Sequence, residues 1–263
     1  MENKSVLYEL EQSVARITLN RPDVLNSFNR PMAKALQAIL KEIAEDPDVR
    51  ALLLTGSGRA FCAGQDLVEA FPSGEDLPTD IGEIVEQSYN PIIRGICYLE
   101  KPVVCAVNGV AAGAGANIAL ACDIVLASSK ASFIQSFCNI GLVPDSGGTF
   151  HLPRLVGLPM AKAMMMLGER ISAEKALEIG MIFQVCEPDA LMEEAGNLAR
   201  HLAARPTRAL GLTKRAINMS CTNDLDAQLE LERELQGQAG KTRDYQEGVK
   251  AFLEKRKPDF KGN

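Results

Sequence analysis

Residues 102–127 read PVVCAVNGVAAGAGANIALACDIVLA, with a continuous apolar run at each end of the stretch. The runs cover residues 102–107 and 123–127, and such runs are typical of strands buried on both faces of a parallel sheet. Between them, AAGAGANIALAC predicts a glycine-rich turn that enters a tight helix of small residues. A strand, a turn, a helix and a second strand in this order predict an α/β fold with parallel strand pairing.

The alternation of strands and helices continues toward the N-terminus. There, VARITL predicts the first strand at residues 14–19 from its alternating pattern. The remaining elements predicted in this half are a buried strand at residues 51–55 (ALLLT), helices at residues 30–44 and 81–99, and a mobile loop with Pro, Gly and acidic residues at residues 71–80.

The pattern changes after about residue 188, where no strand is evident. Charged helices are predicted at residues 190–204, 225–240 and 243–255. We therefore expect a core of residues 1–188 and a helical C-terminal region of residues 189–263, packed on the core or on another subunit.

Composition and charge exclude several classes of protein. The 263 residues carry a net charge of −6, whereas a nucleic-acid binder would usually show a basic surface. No stretch approaches the roughly 18 uninterrupted apolar residues of a membrane helix, and the N-terminal residues lack a signal-peptide core. We expect a cytoplasmic protein that contacts neither nucleic acid nor membrane. Seven cysteines without CxxC spacing and only two histidines argue against a metal site or a histidine-based triad.

Three segments have the composition of a ligand site: RAFCAGQDL (59–67), VNGVAAGAGA (107–116) and GLVPDSGG (141–148). Glycine and alanine let a ligand approach the backbone closely, and the free N–H groups at a helix start favour negative charge. Two such groups that face one oxygen would form an oxyanion hole. For each segment alone, the alternative is that glycine only permits a sharp turn or close helix packing. GAGA does not match GxGxxG, and GxxxxGK[ST] is absent.

Seven segments in order resemble the crotonase superfamily, the enoyl-CoA hydratase/isomerase family, over about residues 6–260. They are NRPDVLNSFN, AFCAGQDL, KPVVCAVNGVAAGAG, CDIVLAS, GLVPDSGGT, ISAEKALEIGMI and EGVKAFLEKRKPDF. The resemblance implies a spiral of ββα units with C-terminal helices that build trimers, often in pairs. It also implies a coenzyme A thioester as substrate, with no separate cofactor.

The resemblance also implies site residues. The two oxyanion amides would be those of Gln65 and Ala114. The residues implied to contact the coenzyme A or the acyl group are Val24, Leu25, Ala63, Gly64, Asp66, Leu67, Gly115, Asn117 and Phe137. Phe252 and Lys255 match positions that reach a neighbouring subunit's coenzyme A, and the alternative for them is an amphipathic helix end with solvated lysines.

The family's reactions differ in where carboxylates lie around the pocket. Hydratases of the family carry two glutamates, and at the matching positions this chain has Asn117 and Phe137, neither of which can act as a general base. Asp145 is then the candidate for proton transfer, and burial beside Phe137 and Val143 should raise its pKa. The alternative is that Asp145 is a turn or helix-capping residue.

Within the family, the resemblance is strongest to the phenylacetate-degradation branch, carried by stretches such as VEQSYNPIIRGI and LDAQLELERELQ. This branch implies isomerisation of 1,2-epoxyphenylacetyl-CoA to oxepin-CoA, with Asp145 as proton carrier. Alternatives are a Δ3-Δ2-enoyl-CoA isomerase or an enoyl-CoA hydratase of fatty-acid oxidation, and a non-catalytic subunit that binds coenzyme A thioesters. An RNA-binding role would need a basic helix face, which the mixed-charge helices do not supply.

Overall fold

A computed structural model describes residues 4–70 and 80–263 of the chain, without the side chain of Ala70. The predicted loop at residues 71–80 lies outside the described residues except for Asp80, which caps the following helix. Within the described ranges, no helix has both the length and the apolar character needed to cross a bilayer.

A six-stranded sheet forms the centre of the fold, in the order β1-β2-β3-β5-β7-β10. Only β1 is antiparallel to its neighbour, and the other pairs are parallel. The strands are β1 (Val6–Glu11), β2 (Val14–Leu19), β3 (Ala51–Gly56), β5 (Val103–Val107), β7 (Ile124–Ser128) and β10 (Gln184–Cys186). The strands β3 and β5 are buried along nearly their whole length, as their continuous apolar runs predict.

A second sheet of four short strands lies beside the first, in the order β4-β6-β8-β9. These strands are β4 (Ala60–Cys62), β6 (Val110–Ala112), β8 (Ser132–Ile134) and β9 (Arg170–Ser172). Successive strands of the chain thus enter the large sheet and then the small one, and a helix follows. This arrangement is the repeated ββα spiral that the family resemblance implies.

Helices cover both faces of the large sheet. Those in the first 188 residues are α1 (Arg30–Glu45), α2 (Leu67–Ala70), α3 (Ile81–Ile84), α4 (Asn90–Cys97), α5 (Ala114–Leu120), α6 (Gly148–Val156), α7 (Leu158–Leu167) and α8 (Ala173–Glu178). Between α3 and α4 the chain forms a π turn, Val85–Tyr89, so that the predicted helix at residues 81–99 is present but interrupted.

The C-terminal region is helical, with α9 (Leu191–Ala203), α10 (Thr207–Ser220), α11 (Leu225–Ala239) and α12 (Arg243–Leu253). Small residues of α9 such as Ala195 and Ala199 pack on the face of the large sheet formed by Leu53 and Val104. Within one chain, α9 thus packs on the core, which is one of the two placements expected for the C-terminal region. A role of residues 189–263 in oligomerisation stays a prediction.

One expectation about the elements is wrong, and one C-terminal helix is absent from the predictions. The first strand is β1, which precedes the predicted one and forms an antiparallel hairpin with it. The helix α10 was not predicted; it docks through Gly211, where an added Cβ would lie 2.3 Å from the Glu100 carbonyl oxygen. Both elements lie at the edge of the fold, where a half-exposed surface weakens the apolar pattern.

Candidate active site

The loop between β2 and α1 holds the AFCAGQDL segment in place. Asn26 is fully buried, and its Nδ2 donates to the carbonyl oxygens of Ser57 at 2.9 Å and Ala60 at 2.8 Å. The Ala63 N–H donates to the Leu25 carbonyl at 3.0 Å. The predicted contact segment around Leu25 therefore lies directly beside Ala63.

Phe28 orients the backbone of Gln65. The Phe28 N–H donates to the Gly64 carbonyl at 2.7 Å, and the Asp66 N–H donates to the Phe28 carbonyl at 2.8 Å. Because N–H groups alternate in direction along an extended chain, the Gln65 N–H points away from Phe28. The described residues contain no acceptor for this amide.

The second amide belongs to Ala114, the first residue of α5. The first N–H groups of a helix have no partner within the helix, and the Ala114 amide finds none elsewhere in residues 4–70 and 80–263. Gly64 has a positive φ of 93°, and a Cβ on it would lie 3.6 Å from the Ala114 nitrogen. The two unpaired amides are thus on adjacent stretches of backbone, as an oxyanion hole requires.

Gln65 and Ala114 both line a cavity of about 270 Å³. Of the predicted site residues, those that line it are Ala63, Gly64, Gln65, Leu67, Ala114, Phe137 and Asp145. The sequence analysis missed the other lining residues, which are Ile81, Ile84, Val85, Tyr89, Gly113, Ser136, Asn139, Ile140 and Leu142. The wall is largely apolar, which suits a hydrocarbon-rich acyl group.

Among the described residues that line this cavity, Asp145 is the only acidic one. Burial raises the pKa of Asp145, and a hydrogen bond of 2.8 Å from Ser146 Oγ to its Oδ1 opposes the shift. Phe137 is buried and lines the cavity together with Asp145. Val143 is 78% exposed, so the expectation that it helps to desolvate Asp145 is wrong. Asp145 thus combines a raised pKa with a place in a largely apolar wall.

Asn117 lies behind the cavity and outside its lining. It is fully buried, its Nδ2 donates to the Asp145 carbonyl at 2.8 Å, and its Oδ1 accepts from Gln135 Nε2 at 2.8 Å. Both ends of the amide form hydrogen bonds within the protein, so Asn117 holds the backbone of the Asp145 loop from behind the surface that a ligand would contact. This differs from the expected contact with substrate.

The remaining predicted residues lie outside the lining. Asp66 forms an ion pair with Arg21 at 2.9 Å, and Gly115 packs against Cys62, where an added Cβ would lie 2.4 Å from the Cys62 carbonyl oxygen. Val24 is exposed on the loop before α1, and Phe252 and Lys255 lie at the end of α12. In this chain alone, Phe252 and Lys255 do not reach the cavity.

The fold and the paired amides define a crotonase-type site. The family model for enoyl-CoA hydratase/isomerase matches residues 9–263 of the chain. The chain belongs to this family.

Some relatives of the chain are named isomerases and others are named hydratases. The chain is 51% identical to a 1,2-epoxyphenylacetyl-CoA isomerase of Escherichia coli strain K12, over 98% of each sequence. It is 40% identical to a short-chain-enoyl-CoA hydratase of Clostridium acetobutylicum, over 98% of this chain and 97% of the relative. A crystal structure of an enoyl-CoA hydratase from Bacillus anthracis superposes with a TM-score of 0.91 at 35% identity, over 99% of this chain and 100% of that one.

Proposed function

We propose that this chain is an isomerase that moves a proton within the acyl group of a coenzyme A thioester. The observation that carries the proposal is that Asp145 lines the same cavity as Gln65 and Ala114, whose backbone amides have no acceptor among the described residues. Asn117 and Phe137, at the positions of the family's hydratase glutamates, provide no second base. A site with one carboxylate suits proton removal and return better than activation of water.

The proposed reaction begins with the thioester carbonyl. Its oxygen accepts hydrogen bonds from the Gln65 and Ala114 N–H groups, which stabilise negative charge on that oxygen. Asp145 removes a proton from the carbon next to the carbonyl, and the electron pair of that C–H bond moves into an extended enolate. Asp145 then returns the proton two atoms further along. The reaction is redox-neutral and needs no cofactor besides the coenzyme A of the substrate.

The substrate we propose is 1,2-epoxyphenylacetyl-CoA, with the seven-membered oxepin thioester as product. Support comes from the 51% identity with the Escherichia coli isomerase of that name and from the apolar, ring-sized cavity. The carbon–carbon bond shared by the epoxide and the six-membered ring breaks as the ring π electrons rearrange, and the oxygen keeps both of its C–O bonds in the seven-membered ring. Asp145 then moves a proton from the carbon next to the carbonyl to the ring carbon two atoms further along, which leaves a double bond conjugated with the thioester.

A second candidate is Δ3-Δ2-enoyl-CoA isomerisation, because the same carboxylate and amides serve a double-bond shift in an acyclic chain. The hydratase names among the relatives keep hydration as a further alternative.

The test compares turnover of three thioesters by the purified protein: the ring epoxide, 3-hexenoyl-CoA and crotonyl-CoA. We expect the highest kcat/KM for the ring epoxide, measurable conversion of 3-hexenoyl-CoA and little hydration of crotonyl-CoA. Dominant hydration of crotonyl-CoA would overturn the proposal.

A further inference from the structure

Tyr89 and the side chain of Gln65 form a polar contact in the cavity that the reaction proposed above does not use. Tyr89 is 1% exposed, and its Oη lies 2.6 Å from Gln65 Oε1. Both residues line the cavity, and the neighbouring wall is apolar, with Ile84, Val85 and Leu142. A buried hydroxyl and a primary amide therefore interrupt an apolar surface at one place.

The two partners of the Gln65 side chain fix its orientation. Gln65 Nε2 lies 3.3 Å from the Asp66 carbonyl oxygen, which can only accept a hydrogen bond. Nε2 must therefore face Asp66, Oε1 must face Tyr89, and the tyrosine hydroxyl is the donor. An amide nitrogen carries two hydrogens, and the second N–H of Gln65 meets no acceptor in the described part of the chain.

Tyr89 keeps its proton over the working pH range. Burial raises the pKa of Tyr89 well above its ordinary value, and the nearby charge of Asp145 acts in the same direction. The hydroxyl thus remains a donor to Gln65 Oε1, so the free N–H of Gln65 is held in one orientation.

Pro91 accounts for the position of Tyr89. Proline has no N–H, so the Gln87 carbonyl four residues earlier cannot receive its usual helical hydrogen bond. Gln37 Nε2, on α1, donates to that carbonyl instead at 2.8 Å. The missing bond lies in the same turn as Val85–Tyr89, where the helix widens into a π turn.

The wider turn directs Tyr89 into the core. Its ring makes an edge contact with Phe28, at 5.9 Å between ring centroids. Phe28 is also the residue whose backbone orients Gln65. The segment at residues 89–91 thus acts on the same wall of the cavity as the oxyanion backbone.

We infer that Tyr89 and the Gln65 side chain select acyl groups that carry an ether oxygen on the carbon bearing the acetyl thioester, as in epoxides and cyclic ethers. An ether oxygen can only accept, and the free Gln65 N–H is the matching donor. A carbocyclic acyl group would leave that N–H unpaired in an apolar cavity, which is unfavourable. The inference rests on the proposed function in taking this cavity as the acyl site, with Tyr89 as the positioning residue.

The test uses two unreactive ligands of the same shape, tetrahydrofuran-2-ylacetyl-CoA and cyclopentylacetyl-CoA, which differ by one oxygen in place of a methylene group. Calorimetry gives the ratio of their affinities. We expect the wild type to prefer the ether by roughly 5- to 10-fold, the range of one net hydrogen bond. Tyr89→Phe and Gln65→Met, which keeps the backbone amide, should each bring the ratio close to one.

Tyr98→Phe is the matched control, because Tyr98 is 73% exposed and outside the cavity lining; it should keep the wild-type ratio. General loosening of the fold would weaken both ligands together and leave the ratio unchanged. Equal affinities in the wild type, or a wild-type ratio in either cavity variant, would overturn the inference. An ether preference in a protein that does not convert the ring epoxide would refute the proposed reaction while the selectivity stands.

Discussion

The carboxyl group of Asp145 loses solvation when the chain folds, and this raises its pKa. A carboxyl group whose pKa is higher in the folded than in the unfolded chain favours folding most below its unfolded pKa. That contribution is lost as the pH rises through the folded pKa. Asp145 therefore lowers the free energy of unfolding at pH values where it is ionised in the folded chain.

Asp145→Asn should consequently melt at the same or a higher temperature than the wild type at neutral pH. The difference should disappear below the unfolded pKa of aspartate, where Asp145 is uncharged in both states. Thermal unfolding over a pH series measures this, with Asp48→Asn as a control on an exposed carboxylate. A lower melting temperature for Asp145→Asn at neutral pH would instead assign Asp145 to the structure of the turn.

Ala114 offers a second test at the residue scale, because its backbone amide and not its side chain is proposed to act. Ala114→Gly should be mild, with at most the roughly 1 kcal/mol expected from added flexibility in a helix. Ala114→Val should lower turnover by ~10²–10³, since a branched side chain would crowd the turn and displace one oxyanion donor.

Turnover and thermal unfolding are measured on both Ala114 variants. A rate loss in Ala114→Val far beyond its stability loss supports the oxyanion hole. Equal proportional losses of rate and stability would mean that the glycine-rich stretch serves packing alone.

The π turn at Val85–Tyr89 can be tested through Pro91. Pro91→Ala restores an N–H to the helix, which can then bond the Gln87 carbonyl in regular α-helical register. We expect Tyr89 to rotate out of contact with Gln65 and kcat/KM for the ring epoxide to fall by about tenfold, the size of one buried hydrogen bond.

The stability of Pro91→Ala should change by less than ~1 kcal/mol, because greater freedom of the unfolded chain and the new hydrogen bond oppose each other. Pro159→Ala, in the first turn of α7, is the control for a helical proline outside the cavity lining. Wild-type kcat/KM in Pro91→Ala would show that the turn does not position Tyr89.

At the scale of elements, the sequence predicts the buried strands, because each of them is a continuous apolar run. The apolar runs at β3, β5 and β7 mark the large sheet within one or two residues. The strands β4, β6, β8 and β9 have three residues each, too few for a period of two to be visible. Their pairing depends on residues far apart in the chain, which no local pattern contains.

At the scale of the whole molecule, the end of α12 exposes apolar side chains that could form an interface between copies of the chain. Phe252 is 82% exposed and Leu253 is 73% exposed at the end of α12, beside an apolar groove that includes Val249 and Phe260. Exposed apolar surface of this kind is unfavourable in a monomer. We propose that copies of the chain cover it in a homotrimer or a dimer of trimers.

Light scattering at micromolar concentration should therefore give the mass of three or six chains. Phe252→Asp combined with Leu253→Asp should shift the protein toward monomer, because the charges oppose burial of the groove. Leu7→Asp, on the edge strand β1, is a matched control that should keep the wild-type mass. A monomeric wild-type protein would refute the proposal.

Some residues of the candidate site can be predicted from a single sequence and others cannot. Gln65, Ala114 and Asp145 belong to segments with recognisable composition, and the fold brings them to one cavity. Tyr89 has no such local pattern, although Pro91 beside it signals an irregular helix. The expected contact of Lys255 with a neighbouring subunit depends on the assembly and stays a prediction.

Asp145→Asn in water labelled with the heavy oxygen isotope tests the central claim most directly. The ring-epoxide thioester is converted by wild type and variant, and the product is analysed by mass spectrometry. We predict that the wild-type product has the mass of the substrate, without labelled oxygen, and that Asp145→Asn binds the thioester but forms this product ~10²- to 10⁴-fold more slowly. Labelled oxygen in the wild-type product would show that water adds to the substrate and would contradict isomerisation, and near wild-type turnover by Asp145→Asn would contradict proton transfer by Asp145.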